Sequence, residues 1–273
     1  MKKVRALSEY SWILCESAPI AYGLHSNNTD YEIESIQGTT EVFYFSDKVN
    51  YVSGGVRWGL QTNMIYENKF NPRNLWGDVW TPPPFQEHFS KESQLKKDKP
   101  VLVINNKYNP EWGEKIPFNY LDVDCIKNIV DTFGEKYKIY YIRYEGDGNE
   151  SNESYFDIVG SYGKFEDYEL LSKYENVTTI YDVMKEYNIG FNKAQMWIHS
   201  LANETIATAG GNAVLSAYFG NDVIIFNCKN CKSENRGIWH TDSWLTELGC
   251  NNIVGCNTYE DLVNIGKQRW LEK

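Results

Sequence analysis

The sequence predicts an α/β protein whose strands form parallel sheets. Three observations predict it. Short apolar runs of strand length recur, as in "VLVI" at 101–104 and "VIIF" at 223–226. Between such runs lie segments with apolar residues at helical spacing, such as Val123, Ile126, Ile129, Val130 and Phe133. Glycine-bearing turns separate the two patterns, most plainly in "TIATAGGNAVLSAYFGNDVIIF" at 205–226. Short apolar strands alternating with helices imply a sheet covered on both faces.

In chain order, residues 4–8 read as a strand, 11–24 as a helix, and 31–36 and 42–45 as strands, together a small α/β unit. Thr81-Pro82-Pro83-Pro84 and the charged "KESQLKKDKP" at 91–100 read as an interdomain linker, dividing a 1–95 domain from a 96–273 domain. After it come a strand at 101–104, a helix at 122–133 and a strand at 138–143, "KIYYIR". Short helices at 165–171 and 179–185 flank a strand at 177–180. Ala194, Trp197, Ile198, Leu201 and Ala202 fit the i, i+3, i+4, i+7, i+8 face of a helix, with Asn192 as its N-cap. A strand at 205–209, a helix at 213–219, a strand at 223–226 and a helix at 260–270 complete the chain.

The chain's 273 residues are ample for a buried core, and 42% hydrophobic with 23% charged residues is ordinary for a globular protein. A net charge of −10 argues against broad attraction to nucleic acid or anionic lipid, while leaving room for a local basic pocket. Aromatic residues reach 15%, which suits a core and also clefts that take sugars or bases. No apolar run approaches the roughly 18–20 residues of a membrane helix. The basic start "MKKVR" meets Glu9 and Tyr10 before any long apolar stretch, so it is a poor signal peptide. The expectation is a cytoplasmic protein without a transmembrane segment. Six cysteines are few for a disulfide scaffold. Cys228-x-x-Cys231 followed by Cys250 and Cys256, or by His240, suits either a zinc clip or plain thiols at a turn.

The turn Gly210-Gly211-Asn212 ends a strand and opens a helix. In an open parallel sheet, ligands sit beyond the strands' carboxyl ends. Glycine permits close approach there, and the helix start offers N–H groups and the positive end of its dipole. Phosphate or diphosphate suits such a turn, with Asn212 as cap or ligand; the plain alternative is a tight turn alone. The G-x-G-x-x-G and G-x-x-x-x-G-K-[ST] spacings are absent, which disfavours a nicotinamide enzyme or a P-loop NTPase. A second strand end runs into "NNKYNPEWGEKIPFN" at 105–119. It offers Asn105, Asn106 and Lys107 to phosphate or sugar oxygens, and Tyr108 and Trp112 as flat apolar faces. A third strand ends at Arg143. Lys107 and Arg143 beside a helix start would clamp a diphosphate; alone, each is an ordinary solvated charge. Glu111 suits a ribose or sugar hydroxyl, or a salt bridge. Gln195 either faces this cleft or lies on an exposed helix face.

"INNKYNPEW", "IYYIRYE" and "FNKAQMWIHSLANETIATAGGNAVLSAYFG" resemble the C-terminal half of GT-B-type glycosyltransferases. They are most similar to a group found in viral and bacterial surface-glycan gene sets. In that group an N-K-Y-N-x-E-W stretch precedes N-x-x-Q and then G-G-x-x-x-L-x-S-Y-F-G. Here the last motif is Gly210, Gly211, Leu215, Ser216, Ala217, Tyr218, Phe219 and Gly220, with alanine where serine is frequent. The resemblance covers residues 100–226, with weaker N-terminal echoes at Ala18-Pro19-Ile20-Ala21 and Phe43-Tyr44-Phe45-Ser46.

The resemblance implies two Rossmann-like domains, the N-terminal one small, facing a cleft. The second would hold a nucleoside-diphosphate sugar and a glycan would accept the sugar, with neither metal nor organic cofactor. The chain departs from the pattern at "SEYSWILCESAP", which lacks the glycine-rich loop usual after the first strand. Sugar transfer needs stabilisation of the leaving diphosphate and, in an inverting enzyme, a base. Glu9, at the entrance of the first helix, and Glu16, further in, are the candidate bases; each is otherwise a solvated carboxylate. Two other classes stay open: a sugar-nucleotide 2-epimerase with the same phosphate cradle, and a glycan-binding module without catalysis.

Overall fold

The computed structural model describes residues 1–52, 72–109, 116–145, 165–228, 243–250 and 252–272. Two parallel sheets organise it. The smaller contains β1 (Lys2–Ala6), β2 (Tyr31–Ile36) and β3 (Val49–Val52), in that order. Between β1 and β2 runs a helical rod in three pieces: α1 (Tyr10–Trp12), a π turn (Ile13–Ser17) and α2 (Ala18–Ser26). Residues 42–45, expected as a strand, are a run of tight turns in which Phe43 N–H donates to Thr40 O. The third strand forms instead at Val49–Val52, an edge strand with one exposed and three half-buried residues. Short α3 (Pro72–Trp76) and α4 (Phe85–Glu92) follow. The segment expected as a linker thus opens as the end of α4, which packs on the larger sheet's side; Gln86 Nε2 donates to Ser200 O at 3.0 Å.

The larger sheet has strand order β6-β5-β4-β7-β8-β9, all parallel. Its strands are β4 (Val101–Asn105), β5 (Lys138–Ile142), β6 (Val177–Thr179), β7 (Glu204–Thr208), β8 (Asp222–Phe226) and β9 (Asn252–Cys256). Helices α5 (Val123–Phe133), α6 (Asp167–Leu171), α7 (Ile180–Tyr187), α8 (Phe191–Leu201), α9 (Gly211–Ala217) and α10 (Tyr259–Gly266) cover it. β4 shows why both faces need cover: all five of its residues are buried. Leu102 and Ile104 join the cluster of α5 and α10, with Ile126, Ile129, Phe133 and Leu262. Val101 and Val103 point the other way, toward Ile180, Phe191 and Ile198 of α7 and α8. The period-2 alternation of a strand thus feeds two helix layers.

Asp122 caps α5 by accepting from Cys125 N–H at 2.7 Å, and a Thr179–Asp182 capping box starts α7. Helix α8 begins one residue before the expected cap: Gly190 is its N-cap, and Asn192 lies inside the first turn. β9 carries Gly255 as the fourth of its five residues and was not legible as a strand.

The two sheets share one apolar cluster. Val4, Leu14, Ile33 and Phe43 from the small sheet's side pack with Val214, Leu215, Tyr218 and Trp244 from the other. Among the described residues no helix is long and apolar enough to cross a membrane.

Candidate functional site

The order of the larger sheet reverses between β4 and β7: successive strands run outward from β4 on one side and from β7 on the other. A crevice forms outside the carboxyl ends at such a switch point. Two loops flank it, residues 106–109 after β4 and 209–210 after β7.

The side chains tie the loops together. Lys107 Nζ donates to Ala209 O at 2.6 Å, so its ammonium lies against the start of the glycine turn. Asn119 Nδ2 donates to the same carbonyl at 3.3 Å, and its Oδ1 accepts from Cys228 N–H at 2.8 Å. Gly210 has φ 123° and ψ −149°, a conformation essentially closed to residues with a Cβ. α9 starts at once after it. The first-turn N–H groups of Gly211 and Asn212 have no carbonyl of their own helix to bond. With seven residues α9 has a small macrodipole, so peptide donors and the Lys107 charge set the electrostatics here.

Several residues read as ligand arms are framework instead. Asn212 turns its donor nitrogen inward, to Asn106 O at 3.1 Å, Asn105 O at 3.4 Å and Thr208 Oγ1 at 3.2 Å. It makes no side-chain cap on α9, and the acceptor oxygen left to it does not suit a phosphate. Asn106 is buried and saturated. Its Nδ2 donates to Leu121 O and Tyr141 Oη, each at 3.0 Å, and its Oδ1 accepts from Leu121 N–H at 2.9 Å. Arg143 is 4% exposed, and its guanidinium is claimed by Asp167 through Nε and through Nη2 at 2.7 Å. Tyr141 Oη donates to the same carboxylate at 2.5 Å. Burial acts to lower the Arg143 pKa, but its bonds to Asp167 and the nearby tyrosines leave it raised. A cation neutralised inside the protein does not clamp a diphosphate, so the expected Lys107–Arg143 pair reduces to Lys107.

Tyr108 stays half-buried at the rim, stacked on Phe165 with centroids 4.4 Å apart and planes 7° apart. Glu111 and Trp112 lie outside the described residues. Gln195 is 2% exposed, so neither of its expected positions holds. It donates to Tyr10 Oη at 3.3 Å and Asn192 Oδ1 at 2.7 Å, while Asn192 Nδ2 bonds Gly38 O. Tyr10 and Gly38 follow the carboxyl ends of β1 and β2. The start of α8, beside Tyr144 after β5, thus joins the carboxyl edges of the two sheets.

Glu9 is the N-cap residue of α1, three residues past β1, and its carbonyl accepts from Trp12 and Ile13. α1 packs against α9, the helix that the glycine turn opens. Glu16 lies on the π turn, half-buried, with its pKa raised by desolvation. Seven residues of helix put it about 10 Å along the rod from Glu9.

Sequence reasoning missed Asn119, which reaches the glycine turn from φ 56°, and His199. His199 is fully buried beside the carboxyl end of β4, its Nε2 3.1 Å from Asn105 Nδ2, its Nδ1 without a partner among the described residues. Burial lowers its pKa to about 3, so the ring is neutral. Asn119 closes the 105–119 stretch and His199 lies within 191–220, but no spacing singles out either; the fold brings them here.

The cysteines do not gather into one four-ligand set. Cys256 ends β9 opposite Phe226, whereas Cys250 Sγ donates to Asn221 O before β8 begins. The length of β9, about 13 Å, separates them. Cys231 and His240 lie outside the described residues, and among the described residues no His, Cys, Asp or Glu cluster could hold a metal ion.

The class defined by topology is a doubly wound parallel sheet with a switch point between β4 and β7, joined to a second, smaller parallel sheet. No protein-family model and no curated protein matches the sequence. Among solved structures, the chain is similar to the ADP-heptose LPS heptosyltransferase II of E. coli, at 10% identity and TM-score 0.49, covering 100% of this chain and 97% of that one. It is similar to a family 9 glycosyl transferase of Veillonella parvula, at 9% identity and TM-score 0.47, covering 100% and 89%. It is also similar to the wall teichoic acid polymerase TagF, at 14% identity and TM-score 0.31, covering 92% of this chain and 53% of that one. Each is a likeness in the course of the chain at low identity, and nothing about this chain's activity follows from it.

Proposed function

We propose that this chain is a glycosyltransferase that moves a sugar from a nucleoside-diphosphate sugar to a hydroxyl of a glycan, without a metal ion. The supporting observation is the meeting of the Lys107 ammonium and the Gly210–Gly211 turn at the β4/β7 switch point. A pyrophosphate there would take charge-assisted bonds from Lys107 and from first-turn N–H groups. As the anomeric C–O bond breaks, its electron pair passes to the diphosphate, and these donors stabilise the charge. Preorganised donors of this kind contribute about 2.7–4 kcal/mol each.

The acceptor oxygen attacks the anomeric carbon as a carboxylate takes its proton. We assign that role to Glu9, because it stands at the carboxyl end of β1, where the two sheets are joined. Glu16 is the second reading, favoured by its raised pKa, since a base works best with a pKa near the working pH. Tyr108 would offer its ring to the nucleotide or sugar beside Lys107. The enzyme is expected to act in the cytoplasm, where nucleotide sugars are made.

The test is release of nucleoside diphosphate from a panel of UDP-, GDP- and ADP-sugars with mixed methyl glycosides as acceptors, with and without EDTA. Acceptor-dependent release that EDTA does not change is expected. Glu9→Gln should lower turnover about 10²–10⁴-fold, while Glu16→Gln leaves it within a few-fold. The reverse ranking moves the base to Glu16. An epimerised donor without acceptor transfer would make the chain an epimerase, and no reaction with any donor would contradict the proposal.

A further inference from the structure

Arg143, Asp167, Tyr141 and Asn106 form one buried chain of bonds that ends at the glycine turn. Asp167 is fully buried and holds Arg143; its Oδ2 also accepts from Tyr141 Oη at 2.5 Å. Tyr141 Oη in turn accepts from Asn106 Nδ2 at 3.0 Å. Asn106 O accepts from Asn212 Nδ2 at 3.1 Å, and Asn212 is the second residue of α9. The phenol is thus fixed from both sides: its one O–H donates to Asp167 and its oxygen accepts from the Asn106 amide. Asp167, held by the Arg143 guanidinium, sets that direction. A carboxylate pinned by a guanidinium is an acceptor alone, which fixes the phenol; two bonds to the Leu121 backbone also hold the Asn106 amide, and Asn212 bonds the Asn106 main-chain carbonyl.

We propose that the buried Arg143–Asp167 pair acts through Tyr141 as a positioning relay, holding Asn106, through it Asn212, and hence the Gly210–Gly211 turn at the β4/β7 switch point. Tyr141 is then a positioning residue for the candidate site. The inference rests on the proposed function only for what those amides bind, and the relay itself is testable without ligand. A control lies within the same cluster. Tyr168 bonds the Arg143 carbonyl and its ring packs 4.7 Å from the guanidinium, but it lies off the path to Asn106. Tyr141→Phe and Tyr168→Phe each delete one buried hydroxyl from the network. Only the first cuts the link to the glycines.

The experiment is a ¹H–¹⁵N correlation spectrum of each ligand-free variant, followed by titration with UDP and GDP. Tyr141→Phe should move the Gly210 and Gly211 amide resonances while Tyr168→Phe leaves them in place. For whichever nucleotide binds the wild type, affinity should fall on the order of tenfold in Tyr141→Phe alone, the scale at which outer partners of a binding shell act. Should Tyr141→Phe fail to fold, Asn106→Ser cuts the relay one bond nearer the glycines, and the Arg143 Nε–H resonance must then move. Glycine resonances unmoved by Tyr141→Phe, or moved equally by Tyr168→Phe, would overturn the relay, as would an unmoved Arg143 signal in Asn106→Ser. Moved glycines with no binding of either nucleotide would leave the relay standing and count against the proposed function.

Discussion

At the residue scale, what matters is where each polar group spends its bonding capacity. Lys107, Gly210 and Gly211 could be picked out as candidates, because a cation and two glycines at strand ends need no distant partner to be noticed. Arg143, Asn106 and Asn212 looked equally suitable and are not ligand arms. Their partners lie 24, 35 and 106 residues away, at Asp167, Tyr141 and the Asn106 carbonyl. No local pattern announces such a pairing. His199 was illegible for the same reason, and it makes a measurable pH signature. Its folded-state pKa is depressed to about 3 from an ordinary 6.5, so the unfolded chain binds a proton that the folded chain refuses. The stability this contributes is present above pH 6.5 and is lost as pH falls toward 3, by about 1.4 kcal/mol per pH unit. His199→Gln should therefore lose about 2 kcal/mol less than the wild type between pH 7 and pH 5 in urea titrations. Equal losses would show that the imidazole titrates normally.

At the element scale, the α5, α8 and β4–β8 patterns were readable because period 3.6 and period 2 stand out in buried elements. β3 and β9 were not, since one is half-exposed and the other carries a glycine next to its last residue. The helix after β1 was readable, but not its π turn. A π turn leaves carbonyls poorly served within the helix. Here Leu14 O accepts from Tyr218 Oη at the end of α9, and Cys15 O accepts from Trp80 Nε1 at 2.8 Å. The turn is thus held by groups from both sides of the shared core. Gly23, further along the rod, lets α2 approach Val79, whose carbonyl a Cβ would meet at 1.8 Å. Tyr218→Phe removes only the hydroxyl and leaves the buried Leu14 carbonyl unpaired. It should cost about 1–3 kcal/mol by denaturant unfolding. A cost near zero would mean that the π turn does not depend on this bond.

At the scale of the whole molecule, parallel sheets were legible from alternating strands and helices, whereas strand order was not. Sequence order places β7 far from β4, and only the assembled sheet makes them neighbours. That adjacency puts Lys107 beside Ala209 across 102 residues of chain. A net charge of −10 repels anionic ligands at long range, so the proposed diphosphate site relies on short-range donors beside Lys107 and the glycine turn. Isothermal titration calorimetry of UDP and GDP against the wild type and Lys107→Ala measures that directly. A nucleoside diphosphate should bind the wild type and lose about 10- to 100-fold in affinity in Lys107→Ala, with the variant still folded. Wild-type protein that takes up neither nucleotide, or a variant that binds one as tightly as the wild type, would contradict a pyrophosphate site at the β4/β7 switch point.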